Sequence, residues 1–468
     1  MKNSLLFDLF STLSRKEMRA LGRFLETPFF NLRKDVFQLF NYLAECREHL
    51  KIIPDKRQAF RNIYQNEVYE DHKMRLIMSL LLRLIEHFLV HQSFFSEPVK
   101  VKNRLATIYR ERKLTKHFGR SLRECKKMQS IAPFRNADYY FDGYQIHLEE
   151  YLHIADRKRI SALNLQTISD ELDTAFIALK LRQTCLSLSH QAVYNTEYHF
   201  GLLNEILTYV EEKKLIEIPA ISVYYYCYKS LVDPSEVSHF QLFKALIIQE
   251  SQKFPIEEIR DLYLLAINIC TKQYNEGNPE YLKESFDLYK EGLRNGCLLS
   301  RGVLSRFTYR NIVTHGLIMK EYEWLEDFIE SYRDKLELAY RESMYSFCLA
   351  RLEYSRKNYS KALNLLQKSD YQDLLLNLSA KTVLLKIFYE LEEFDLLESH
   401  LEAMKTFLRR KDIIGYHREN YKNLIRFTQR LLELKPFDIR GRAILKQEME
   451  QTGLLAERTW LIENLEQL

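Results

Sequence analysis

Glycine and proline are scarce in this 468-residue sequence, with 12 and 9 respectively. A β-rich chain of this length needs many tight turns, and tight turns draw on those residues and on asparagine. The shortage argues against such a fold and predicts helices joined by short connections. The seven cysteines (46, 125, 185, 227, 270, 297 and 348) are widely separated and form no CxxC pair. That spacing argues against a zinc site or a disulfide framework and fits a reducing compartment. GxSxG, GxxxxGK[ST] and GxGxxG are all absent, so no nucleophile elbow or phosphate loop is legible. The greasiest run, Leu76–Val90, is too short to cross a bilayer and carries Arg83, Glu86 and His87. It reads as a helix buried in protein. The opening MKNSLLFDLFSTLSRKE is interrupted by Asp8 and lacks the apolar core of a signal peptide. These absences imply a cytoplasmic protein with no membrane insertion.

What the sequence has is apolar and aromatic bulk, 46% and 13% of the chain. Its length exceeds one compact core and calls for several domains or an elongated array. Residues 1–135 read as a small helical domain. Within it, Ser14 and Glu17 have capping-box spacing, Met18, Leu21 and Leu25 recur on one helical face, and Pro28 stops the helix. Residues 136–468 alternate helices without strand signals. An aromatic stands near the start of the second helix of each expected pair: Tyr198, Phe240, Tyr281, Tyr322, Tyr359, Phe394 and Phe437. Seven residues after all but Tyr198 comes an apolar side chain: Ile247, Leu288, Ile329, Leu366, Leu401 and Ile444. Such a period is produced by helical hairpins, each with an apolar face too large to bury alone.

Tyr359, Ala362 and Leu366, and then Phe394, Leu397 and Leu401, resemble the tetratricopeptide repeat, in which an aromatic opens the second helix, followed by a small and then a bulky residue. Ala350 stands in for the small residue of the first helix. The resemblance loosens elsewhere: Leu325 replaces the small residue, and the closing prolines are missing. It implies an all-α fold, an α-solenoid of tetratricopeptide-like hairpins with a final capping helix around Trp460. The family's usual role is to hold protein or peptide partners in a groove. The degenerate repeats carry over no peptide-clamping residues. Leu288–Phe328 also resembles a single pentatricopeptide repeat, whose relatives bind single-stranded RNA, but one unit supports no base-reading code.

Charge is the strongest remaining signal. Val99–Met128 holds eleven Lys and Arg against two Glu, a net +9, while the whole chain is only +5. Arg112, Lys116, Arg120, Arg123 and Lys127 fall on one helical face, opposite Leu114, Phe118, Leu122 and Cys125. Like charges at i,i+4 repel, so this stripe points to an anionic partner, either nucleic-acid phosphates or an acidic protein surface. Arg157–Arg159 would extend it.

Metal and acid–base patterns are thin. His87 and His91 sit at i,i+4 without the glutamate of HExxH and read as partly buried edge residues. Glu150–His153 and Glu236–His239 have ExxH spacing at no more than chance frequency. Tyr224, Tyr225, Tyr226 and Tyr228 point to several sides of a helix, so they read as packing rather than a base-stacking platform. Gly292, Gly296 and Gly302 read as a loop between helices. The expectation is a non-enzymatic adaptor without cofactors that binds protein or peptide partners through the solenoid and an anionic partner through the basic helix. The alternative is a nucleic-acid-binding helical-repeat protein.

Overall fold

The computed structural model describes residues 1, 3–47, 54–65, 67–155, 163–194, 196–368, 373–410, 415–435 and 438–468. Arg157–Arg159 and the anchor Phe437 lie outside the described residues. The fold is all-α, with 23 α-helices among the described residues. The chain divides into two compact units, Met1–Leu179 and Lys180–Leu468. The division falls later than the 135/136 expectation.

In the first unit, α1 (Leu5–Thr12), α2 (Arg15–Glu26), α3 (Lys34–Glu45), α4 (Lys56–Ile63) and α5 (Asp71–Phe95) build one apolar core. The capping box forms: Ser14 N donates to Glu17 Oε2 at 2.7 Å, and Glu17 N to Ser14 Oγ at 3.2 Å. Met18, Leu21 and Leu25 are buried behind it. α5 packs on α1, α2 and α3. It is not buried all round, as its apolar run suggested. Met74, Ile77, Met78, Leu81, Ile85 and Phe88 face the core, whereas Leu76 and Val90 are exposed. Then α6 (Pro98–Glu111), α7 (Thr115–Ser130) and α8 (Ala137–Ala155) pack pairwise around Ala106, Phe118, Leu122, Cys125 and Ile146. α9 (Leu165–Tyr194) contains the division between the units.

In the second unit, α10 (Leu203–Glu212) precedes a series of pairs: α11 (Pro219–Val232) with α12 (Val237–Gln249), α13 (Ile256–Asn275) with α14 (Glu280–Arg294), α15 (Arg306–Ile318) with α16 (Tyr322–Ser331), α17 (Arg341–Ser355) with α18 (Tyr359–Lys368), and α19 (Leu374–Glu390) with α20 (Phe394–Arg410). The second helix of each pair packs on the first helix of the next, and α20 packs on α21 (Gly415–Glu433). α22 (Ile439–Gln451) and α23 (Arg458–Gln467) end the chain. Phe240, Tyr281, Tyr322, Tyr359 and Phe394 stand in the first turn of their helices. Ile247, Leu288, Ile329, Leu366 and Leu401 are all buried. Tyr198 departs from the pattern: it lies in the α9–α10 connection and is exposed, as is Ile444 at the far end.

The scarcity of glycine has a structural counterpart. At the pair turns, Lys320, Lys357 and Glu392 adopt left-handed backbone (φ 59°, 63° and 58°), as Gly277 does at the α13–α14 turn. The next residue in each case bonds back to a carbonyl five residues earlier: Asn278 N to Gln273 O, Glu321 N to Gly316 O, Asn358 N to Glu353 O, and Glu393 N to Phe388 O. This is the Schellman arrangement, which satisfies the last helical carbonyls and ordinarily selects glycine. One turn geometry thus joins four pairs, three of them without glycine.

Two local features depart from the expected loop. Leu299–Ser300 and Val303–Leu304 form a two-residue antiparallel ladder around Arg301 and Gly302, both at positive φ, the geometry of a tight hairpin. Gly292 is not in that loop but inside α14, where an added Cβ would lie 2.8 Å from Leu298.

Candidate functional site: a basic helical hairpin and a basic groove

The basic segment does not fold as one helix. α6 ends at Glu111, Arg112 caps it, and Lys113 turns the chain at φ 59°. Leu114 N then bonds to Tyr109 O at 2.8 Å, the same Schellman closure as in the second unit. Arg112 therefore belongs to the turn, and Lys116, Arg120, Arg123 and Lys127 to α7. All five are exposed. On the opposite side Phe118, Leu122 and Cys125 are buried, but Leu114 is 42% exposed because it precedes the first helical turn. Ser121 and Gln129 complete the buried face. Ser121 Oγ donates to Lys102 O at 3.0 Å and Gln129 Nε2 to Tyr139 O at 3.2 Å. Gly143 of α8 permits this approach, since a Cβ there would lie 2.6 Å from Gln129 Nε2.

Folding neutralises part of the charge. Arg120 and Lys102 both pair with Glu124, at 3.0 and 2.6 Å, and together they lower its carboxyl pKa. Arg110 pairs with Glu149 at 2.8 Å, Lys126 with Glu150 at 2.7 Å, and Lys100 with Glu97. Glu97, Glu149 and Glu150 come from outside the basic segment and remove three of its nine net charges. Arg104, Arg112, Lys113, Lys116, Arg123 and Lys127 have no ion pair among the described residues. The stripe is thus less uniform than its sequence: Glu124 interrupts it at Arg120.

A second basic surface was not anticipated. Lys405, Arg409, Arg418, Lys422 and Arg426 line a groove of about 590 Å3 between α20 and α21, with Glu402 the one acidic lining residue. Lys405 pairs with Glu402 at 2.6 Å and Lys422 with Glu419 at 2.7 Å. Arg409 and Arg426 are exposed and form no close ion pair among the described residues. Arg409 Nη2 donates to Thr406 Oγ1 at 3.2 Å. Periodicity within each helix contained this signal, but only the packing of α20 on α21 sums the two basic faces.

Other sequence candidates have structural occupations. Glu236 caps α12, accepting from Ser238 N, and His153 stacks on Phe118 with ring centroids 4.0 Å apart. His87 and His91 are exposed rather than partly buried, with His91 beside the Phe95 ring. Tyr224 donates to Glu258 at 2.7 Å and Tyr225 to Glu211 at 2.5 Å, so both phenols are committed inside the unit. Among the described residues, no group of three or more His, Cys, Asp or Glu is placed to hold a metal, and no helix is long and apolar enough to cross a membrane. The chain matches no family model, no curated protein and no solved structure.

Proposed function

We propose that this protein is a non-enzymatic cytoplasmic adaptor, and that its second unit is a tetratricopeptide-like α-solenoid holding protein or peptide partners. The observation that carries this reading is the series of helical pairs in 219–410, which bury equivalent positions, four of the five sharing one turn geometry. A stack of this kind exposes long helix faces whose side chains are not needed by the core. The partner surface is acidic, because α7 and the α20–α21 groove both present cations in excess of their own carboxylates. A nucleic-acid partner is the second reading, favoured by Arg112, Lys116, Arg123 and Lys127, which have no ion pair among the described residues. It requires affinity to fall with salt by roughly 0.7 to 0.9 log units per log unit of salt for each phosphate neutralised.

The test is affinity capture of the full-length protein with and without nuclease, repeated with Arg112, Lys116, Arg120, Arg123 and Lys127 all changed to Glu. Stoichiometric proteins that survive nuclease and are lost from the charge-reversed variant support the adaptor. Retention that collapses with nuclease overturns it in favour of nucleic acid.

A further inference from the structure

The first helices of three successive pairs, α15, α17 and α19, line a solvent-open cavity of about 380 Å3 in the second unit together with α21 and with Ala456 and Glu457 just before α23. Its distinguishing feature is two guanidiniums, Arg310 and Arg351. Neither has an ion pair among the described residues. Arg351 Nη1 donates to Thr314 Oγ1 at 2.8 Å; burial lowers its pKa, Cys348 and Glu457 oppose that shift, and the Arg310 charge adds to it. The one carboxylate lining the cavity, Glu457, is held by Lys386 at 2.9 Å. The lining is therefore net cationic, two guanidiniums against one carboxylate that is itself ion-paired, an arrangement that attracts an anion. His417 registers the same field: burial, and then Arg310, depress its pKa.

The rest of the lining narrows the ligand. Thr314, Ser379 and Thr382 donate their hydroxyl protons to carbonyls four residues earlier, each at 2.9 Å. They present lone pairs that can orient guanidiniums and are poor partners for oxyanions. Asn311 hydrogen-bonds the Tyr289 phenol, so the strongest donors facing a ligand are the two guanidinium forks, with the Tyr421 hydroxyl beside them. Two forks match a doubly charged tetrahedral oxyanion better than a single carboxylate, which leaves one arginine uncompensated. The volume exceeds that of the oxyanion alone and falls in the range of small-molecule pockets, and Phe347, Val383 and Tyr421 supply an apolar wall. We infer that this cavity binds a small organic phosphate monoester, with Arg310 and Arg351 holding the phosphoryl group and Phe347 and Tyr421 flanking its organic part. The inference does not rest on the adaptor reading: it needs only the lining of this cavity.

Calorimetric titration of the full-length protein tests it, with phenyl phosphate, inorganic phosphate and benzoate as probes at matched ionic strength. Phenyl phosphate should bind at least about tenfold more tightly than either other probe. Arg351→Met should weaken it at least about tenfold. Arg310→Gln, whose folding is checked by its thermal melt, should do the same, and Glu457→Gln should tighten it. Benzoate binding as tightly as phenyl phosphate, no binding of phenyl phosphate, or unchanged affinity in a folded Arg310→Gln variant would overturn the assignment.

Discussion

The first 95 residues and the paired helices of the second unit solve the same packing problem differently. α5 is a hub: helices distant in sequence, α1, α2 and α3, converge on it, and one core serves them all. In 219–410 each helix packs on its neighbours in sequence and on the adjacent pair. The hub ties the stability of every element to one set of side chains. Serial packing makes stability a sum of local terms, so a defect stays near its origin. The serial region also frees one face of many helices, and this is where the cavity and the basic groove lie.

The largest effect is expected at the hub. Leu81→Ala, a fully buried truncation on α5, should cost on the order of 3 kcal/mol. Hydrogen exchange should show protection falling together across α1, α2, α3 and α5. Leu401→Ala should cost a similar amount but lower protection only around α19–α23, leaving α11–α14 unchanged. Equal spreading in both variants would abolish the contrast.

Next is Glu390. It accepts from Tyr354 and Tyr359 hydroxyls and from Trp460 Nε1 at 3.0 Å, joining α17, α18, α19 and α23. Burial, followed by the Glu390 hydrogen bond, raises the Tyr359 phenol to about 12. Glu390→Ala should cost on the order of 2 kcal/mol by leaving three donors without their acceptor. Chemical denaturation measures this; a loss below 0.5 kcal/mol, by the same principle, would show that water replaces the carboxylate freely.

Gly316 sharpens the comparison at the level of one pair. An added Cβ would lie 2.6 Å from Leu325 Cδ2 and 2.8 Å from its Cγ. Gly316→Ala should destabilise by about 1 kcal/mol, overpacking outweighing the better helix propensity of alanine. Adding Leu325→Ala removes the clash, so the double variant should be less destabilised than the sum of the singles. The smallest effect is a gain. Lys357→Gly relieves a left-handed residue and should stabilise by about 0.5 to 1 kcal/mol in the same denaturation assay.

Much of this architecture was legible because it depends on local rules. The capping box needs only Ser14, Glu17 and the start of a helix, and it formed as spaced. The anchors from Phe240 to Phe394 and their partners seven residues on are set by helical period, and the structure buries the partners. Where the sequence reading failed, a second helix intervened. Leu76 and Val90 look as buried as Leu81, but which of them is covered depends on where α1, α2 and α3 dock. Leu325 looked like a broken repeat position, yet Gly316 across the pair provides the room it needs. The charge of the basic segment looked uncompensated until Glu149 and Glu150 of α8 paired with Arg110 and Lys126.

The sequence by itself determined the all-helical class, the hairpin period and the sign of the charge around 99–128, because helix geometry and composition act within a few residues of themselves. Only the tertiary structure decided which cations keep their charge uncompensated and which side chains share a cavity. Arg310 and Arg351 stand 41 residues apart and one to a pair, and no local pattern announces them. Their proximity is created by the packing of α15 on α17, and electrostatic interaction depends on distance in space, not along the chain.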